Sequence, residues 1–351
     1  MKKVFLGMAA LAFLFTSCEN DNTSALQEEQ TNVDMSDFYV HTDASMESEL
    51  SRAANGDKSC ATMANLNRML NENPGLERKM YNIEYNTRKH TAKGKPVKPG
   101  DGGGDTGGDD VDVEIVPDNL GVINIPVYIH IVYPNPSVIS QSQINSQMAT
   151  LNNDFSNTNV NQLPSGTTFA NDATDAGFSF TLAGVFEHAD SRSSWGTNDA
   201  VKAAYPPVTP ETHLNIWVCE IGGGILGYAQ FPGGRLSTDG VVVGGAYFGN
   251  TSGPYGLGRT MTHEVGHYFN LRHIWGDGRC RQDDFVLDTP SADSSNGGCP
   301  NFPSTSCKSA DMTMNYMDYT YDACMYMFTD GQRNRMRAIF QPGGPRASMI
   351  N

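Results

Sequence analysis

Residues 263–273 read HEVGHYFNLRH. A helix brings positions four apart onto one face, so His263 and His267 can present two imidazoles to one metal ion. Glu264 sits one step around, within reach of a water on that ion. His273 lies six residues past His267, which is not helical spacing. The helix must therefore stop and the chain turn back before a third imidazole can join, leaving a fourth metal position open, as in hydrolytic zinc sites. Asn270 stands where that turn needs left-handed backbone, which Asn tolerates best among non-glycine residues. The spacing implies zinc held by His263, His267 and His273, with Glu264 as general base. The alternative, a surface helix that happens to carry histidines, is disfavoured by the rarity of the pattern in a chain with eight histidines.

Further along, residues 314–319 read MNYMDY. The extended form H-E-x-x-H-x-x-G-x-x-H followed by a methionine turn marks the metzincins, and here Asn270 replaces the Gly. HEVGHYFNLRHIWGD, the Asp288-Thr289-Pro290 step, MNYMDY and two flanking pairs of cysteines together resemble the pappalysin group of metzincins, particularly its bacterial cytophagalysin branch, over residues 123–340. The resemblance implies a secreted zinc endopeptidase acting on proteins or peptides. It makes Met317 the hydrophobic floor beneath the metal and Tyr319 a residue that supports the tetrahedral intermediate. It also implies a preference for a basic residue after the cut bond, with Asp322 as the candidate pocket carboxylate and a solvated loop acid as the alternative. Calcium is a second candidate ion at Asp277, Asp283, Asp284 and Asp288, against the alternative of solvated loop acids. A thermolysin-like enzyme would use a later glutamate as ligand and would not need His273 or Met317. A surface lipoprotein of the same fold acting only as a binding module is the rival from another class, and the presence of Glu264 tells against it.

Seven cysteines sort by position. An exported chain permits disulfides, and the four beyond the zinc motif allow three pairings. The resemblance selects Cys280 with Cys307 and Cys299 with Cys324. A second zinc site would need tighter spacing than these cysteines show. Cys219, in the apolar run 214–221, reads as a buried thiol. Cys60 lies in the leader, in the order Asp57-Lys58-Ser59-Cys60-Ala61-Thr62. Its thiolate could fill the open zinc position and hold the enzyme latent. Asp57 is the competing ligand, and an idle thiol in a disordered leader is the plain alternative.

The ends and the charge set the compartment. Lys2 and Lys3 precede an apolar stretch, residues 4–15, too short to span a bilayer and laid out as a secretory signal. It ends Phe15-Thr16-Ser17-Cys18, which resembles a bacterial lipoprotein signal with Cys18 acylated, so the expected location is the outer membrane or cell surface, with release as a soluble mature enzyme. A net charge of −15 repels phosphate backbones and anionic membranes, which disfavours nucleic acid and leaves a lipid anchor as the membrane contact. The expected division is a signal peptide over 1–17, a propeptide and Gly/Asp-rich linker over 18–118, and a catalytic domain over 119–351.

The leader is polar and reads as unable to order itself, apart from a short helix or two within residues 63–85. Its linker, residues 88–108, is the expected activation cut. From residue 122 strands and helices alternate. Residues 123–133 are β-rich. Ser140 opens a helix whose Ile144, Met148, Leu151 and Phe155 form one apolar stripe. Residues 178–186, 214–221 and 241–243 read as strands, and 260–270 as the helix carrying the site. Residues 222–230, GGGILGYAQ, are either a Gly-rich hairpin loop or an edge strand for substrate, and the resemblance favours the edge. Thr329 and Gln332 make a capping box for a last helix to Phe340. The expected class is α/β (α+β): a metzincin-type mixed, mostly parallel twisted sheet with backing and active-site helices, plus an irregular disulfide-tied C-terminal subdomain with the Met-turn and final helix.

Overall fold

Strand β1 (Ile123–Tyr133) organises the molecule, because its alternate residues Ile123, Ile125, Val127, Ile129 and Ile131 are all buried on one face. The computed structural model describes residues 33–91, 113–159, 163 and 167–350. The signal segment, Cys18 and the linker from residue 92 to 112 lie outside the described residues. β1 pairs in parallel with β2 (Phe178–Ala189) on one side and β3 (Leu214–Cys219) on the other. β3 pairs in parallel with β5 (Val241–Gly244), and β4 (Gly227–Ala229) closes the sheet antiparallel to β5, giving the order β2-β1-β3-β5-β4. β3 is buried at every position, as expected of a parallel strand covered on both faces. The sheet is thus mixed and mostly parallel, as the residue pattern implies.

A short helix, α5 (Ala200–Ala204), precedes β3, and two longer helices cover one face of the sheet. α4 (Gln141–Phe155), capped by Ser140, buries Ile144, Met148, Leu151 and Phe155. α6 (Arg259–Tyr268) carries the histidine motif and is buried along its whole length. It ends two residues before the expected Asn270. The last helix, α7 (Asp330–Ala338), opens on the Thr329–Gln332 capping box and stops short of Phe340. Between α6 and α7 the chain is mostly irregular, and disulfides join Cys280 to Cys307 and Cys299 to Cys324. Cys219 is a buried free thiol.

The leader departs from its polar composition. Residues 33–91 form α1 (Met46–Ala54), α2 (Thr62–Glu72) and α3 (Leu76–Thr91). Val40, Met63, Leu66, Met69, Leu76 and Met80 make a small core completed by Phe231 from beyond β4. The expectation of a segment unable to order itself fails here, because the catalytic half supplies part of the apolar surface and much of the polar pairing. Glu84 on α3, for example, receives two hydrogen bonds from Arg335 on α7.

Candidate active site

His263, His267 and His273 meet in the interior, each no more than 1 % exposed. Each Nδ1 has an oxygen partner: Tyr316 O for His263 at 2.7 Å, Leu271 O for His267 at 2.8 Å, and Asp277 Oδ1 for His273 at 2.7 Å. These acceptors place the proton on Nδ1 and leave all three Nε2 lone pairs free. The Nε2 of His267 is 3.2 Å from that of His263 and 3.1 Å from that of His273. Lone pairs converging without a proton between them repel unless a cation lies among them. Tetrahedral bonds of about 2.05 Å would put ligand atoms about 3.3 Å apart, close to the observed spacing. The donor set therefore fits a metal ion.

Local backbone chemistry makes the convergence possible. Asn270 has φ +78°, the left-handed conformation expected of the residue standing in for Gly. Leu271 N donates to Gly266 O at 2.9 Å, which folds the chain back and brings His273 to the helix. Gly266 has a separate constraint, since a Cβ there would lie 2.4 Å from Met317 Sδ. Met317 is fully buried against that side of α6.

Glu264 is 1 % exposed, and burial raises its carboxyl to about 7 against hydrogen bonds and positive charges that lower it. Oε2 accepts from Thr62 Oγ1 at 2.7 Å, while Oε1 has no partner among the described residues. The Tyr319 ring lies 5.6 Å from His263 and 5.0 Å from His273, and its hydroxyl donates to Cys60 O at 3.4 Å.

The leader crosses this cleft. Cys60 bridges Gly227 of β4 in parallel, with Leu226 N donating to Ser59 O and Ala61 N to Gly227 O, both at 3.1 Å. Cys60 Sγ and the three histidine nitrogens lie within 4.8 Å of one another. Asp57, the competing ligand, is exposed. Residues 222–230 combine both expected readings: Gly222, Gly223 and Gly224 turn with positive φ, and Gly227–Ala229 is an edge strand.

Two leader residues escaped the reading of the sequence. Thr62 links the site to β4, its hydroxyl accepting from Ala229 N at 2.8 Å while donating to Glu264. Lys58 is 1 % exposed, its Nζ donating to Asp318 O at 3.4 Å and lying 3.5 Å from Met325 Sδ. The available signal was a run of polar residues beside Cys60, which alone does not say which of them turn inward.

Asp322 is not a solvated loop acid. It is fully buried, with Oδ2 accepting from Leu257 N at 2.9 Å and Arg259 N at 3.2 Å. Its Oδ1 has no partner among the described residues. The acids proposed for calcium are largely engaged. Asp277 orients His273, and Asp288 accepts from Thr329 Oγ1 and Gly331 N at the start of α7. Asp284 is buried and accepts from Thr289 Oγ1 and Val286 N.

Residues 208–341 match the model of a peptidase family described as pregnancy-associated plasma protein-A. An extracellular metalloprotease of Neurospora crassa is 32 % identical over 243 residues, covering 65 % of this chain and 78 % of that protein. The solved structure of Tannerella forsythia mature mirolysin in complex with a cleaved peptide is 42 % identical, with a TM-score of 0.64 over 66 % of this chain and 96 % of that one. A Tannerella forsythia promirolysin mutant is 36 % identical, with a TM-score of 0.71 over 84 % of this chain and 97 % of that one. With the histidine cluster and mixed sheet described above, these likenesses identify the chain as a metalloendopeptidase of the pappalysin family of metzincins.

Proposed function

We propose that the chain is an exported zinc metalloendopeptidase made as a latent precursor, with His263, His267 and His273 as ligands and Glu264 as general base and acid. The observation that carries this reading is the convergence of three Nε2 atoms, each with its Nδ1 proton held elsewhere, beside a buried carboxylate. A zinc ion there would supply Lewis acidity, lowering the pKa of water and polarising a carbonyl. Glu264 takes the proton of the attacking water and returns it to the leaving amine, and its unpartnered Oε1 is the oxygen open to that exchange. The Tyr319 hydroxyl, next to the histidine rings, donates to the developing oxyanion once the Cys60 carbonyl has withdrawn. Met317 is the floor that fixes the histidine helix.

Leader residues 18–118 act as propeptide and linker, and the Cys60 thiolate takes the fourth metal position in the latent chain. Its burial beside the three imidazoles supports this over Asp57 or an idle thiol. Residues 88–91 belong to α3, with Arg88 paired to Glu84 and Asp37, so the proposed cut moves to residues 92–108; it would release the catalytic domain, residues 119–351, to act on proteins and peptides that pair with the freed edge of β4. On this reading a substrate pairs antiparallel with β4, opposite in direction to the leader, which bridges Gly227 in parallel. On this reading Asp322 lines the pocket for a basic residue after the cut bond. Calcium is proposed as a second ion at the adjacent buried carboxylates Asp283 and Asp284, whose like charges a cation would balance. Cys18 is the proposed lipid anchor and the sole membrane contact, at the outer membrane or cell surface. With a net charge of −15 no nucleic-acid partner is proposed.

Metal analysis with a peptide assay tests the central claim. Glu264→Ala should keep about one zinc per chain and lose hydrolysis, because Glu264 serves the water rather than the metal. Full-length Cys60→Ala should hydrolyse peptide before any cut. Hydrolysis surviving in Glu264→Ala would overturn the mechanism.

A further inference from the structure

Two buried arginines of the catalytic half point into its boundary with the leader. Arg335, 4 % exposed, grips the Glu84 carboxylate with both Nη atoms, at 3.1 and 2.6 Å, and donates from Nε to Asn270 O at 2.9 Å. Arg272, 3 % exposed, donates from Nη2 to Tyr39 O at 2.7 Å, while its Nη1 has no partner among the described residues. The Phe285 ring joins them, with the Arg272 guanidinium 4.7 Å and the Arg335 guanidinium 5.6 Å from its centroid. Glu84, Phe231, Asn270, Arg272 and Arg335 line one small cavity. The Phe231 ring is 5.4 Å from that of His267, so the arginine pair adjoins the histidine cleft. Glu84 and Tyr39 both belong to the leader. The carboxylate that the catalytic half sets near Arg272 is Asp277, whose Oδ1 already accepts from His273.

We propose that Arg272 and Arg335 form a carboxylate-binding site of the processed enzyme, which engages an acidic side chain of a protein substrate lying in the cleft. This rests on the reading of residues 18–118 as propeptide and linker, since removal of the leader strips Glu84 and Tyr39 from the two guanidinium groups and leaves them uncovered beside the cleft. In the precursor Glu84 stands in for that ligand. Its two oxygens meet the planar fork of Arg335, the geometry in which an arginine selects a carboxylate over a neutral amide. Two like charges set close together repel, so an incoming carboxylate relieves that repulsion as well as pairing with the arginines.

The test offers the processed, zinc-loaded enzyme dephosphorylated casein and the same casein after its carboxyl groups have been coupled to glycinamide. The catalytic half is itself net acidic, so long-range electrostatics alone would favour the amidated protein. The site predicts the reverse: kcat/KM should be about tenfold or more higher for the acidic form, and the preference should shrink as salt is raised. Arg335→Gln should cut the two forms equally or favour the amidated one. Because a ratio is read, a general loss of activity from misfolding does not imitate this result. Equal or faster cleavage of amidated casein by the native enzyme would overturn the proposal, as would a preference for the acidic form that survives in Arg335→Gln. Native mass spectrometry of the active species separates the site from the reading beneath it. If that species keeps residues 33–91 bound, the propeptide assignment fails and the site falls with it. If those residues are gone and Arg335→Gln leaves the preference unchanged, only the site fails.

Discussion

Replacing Glu84 by Gln should loosen the leader from the catalytic domain by a pH-dependent amount. Glu84 is 2 % exposed and accepts from Arg335 Nη1 at 3.1 Å and Nη2 at 2.6 Å, and from Arg88 Nε at 2.8 Å. Burial alone would raise its carboxyl, but the two guanidinium groups outweigh burial and bring it from 4.5 to about 2. At about 1.4 kcal/mol per pH unit this is about 3 kcal/mol of stabilisation. The folded-state value is depressed, so the contribution is complete above about pH 5 and is lost as pH falls through 4.5 towards 2. At pH 3 about 2 kcal/mol of it should be gone, because the unfolded carboxyl is then mostly protonated and the folded one is not. An amide at this position cannot titrate, so the stability of the Glu84→Gln chain lacks this component. Equilibrium urea unfolding of the two chains, both carrying Glu264→Ala to prevent self-cleavage, should show a gap of about 3 kcal/mol at pH 7, shrinking to about 1 kcal/mol at pH 3. A gap that stays constant over that range would refute the assignment of the stabilisation to Glu84.

Two further substitutions probe the site itself. Tyr319→Phe in the processed enzyme should lower kcat by about 10²-fold or more while leaving KM nearly unchanged, because its hydrogen bond forms in the transition state; steady-state kinetics showing a change confined to KM would assign Tyr319 to binding instead. Gly266→Ala places a methyl 2.4 Å from Met317 Sδ, so thermal unfolding should report a loss of about 1–3 kcal/mol, whereas native stability would mean that Met317 moves aside freely.

The histidine site was legible because each of its demands is local: helical spacing for His263 and His267, a left-handed turn at Asn270, and a third imidazole just beyond it. The sheet was legible from apolar runs such as residues 123–133, whose alternate isoleucines needed a core. What stayed hidden depends on contacts far apart in the chain. Asp277 orients His273 from an irregular segment with no periodicity to place it. Asp322 read equally well as a pocket wall or a solvated acid, since its burial is set by Lys58 and by the amides of Leu257 and Arg259. The leader looked disordered because its composition is polar, yet its polar groups are partners for the catalytic half, as Thr62 is for Glu264.

The parallel bridge between Cys60 and Gly227 also bears on the time course of activation. If the leader is the propeptide proposed above, a chain whose site is covered by its own leader does not make the first cut in itself. On that reading the cut comes from another molecule, and each processed copy would then be a catalyst for the rest. A pure, concentrated stock would therefore show a lag followed by a steep rise, the lag shortening with protein concentration and vanishing when a trace of processed enzyme is added, whereas dilute chains would stay silent for much longer.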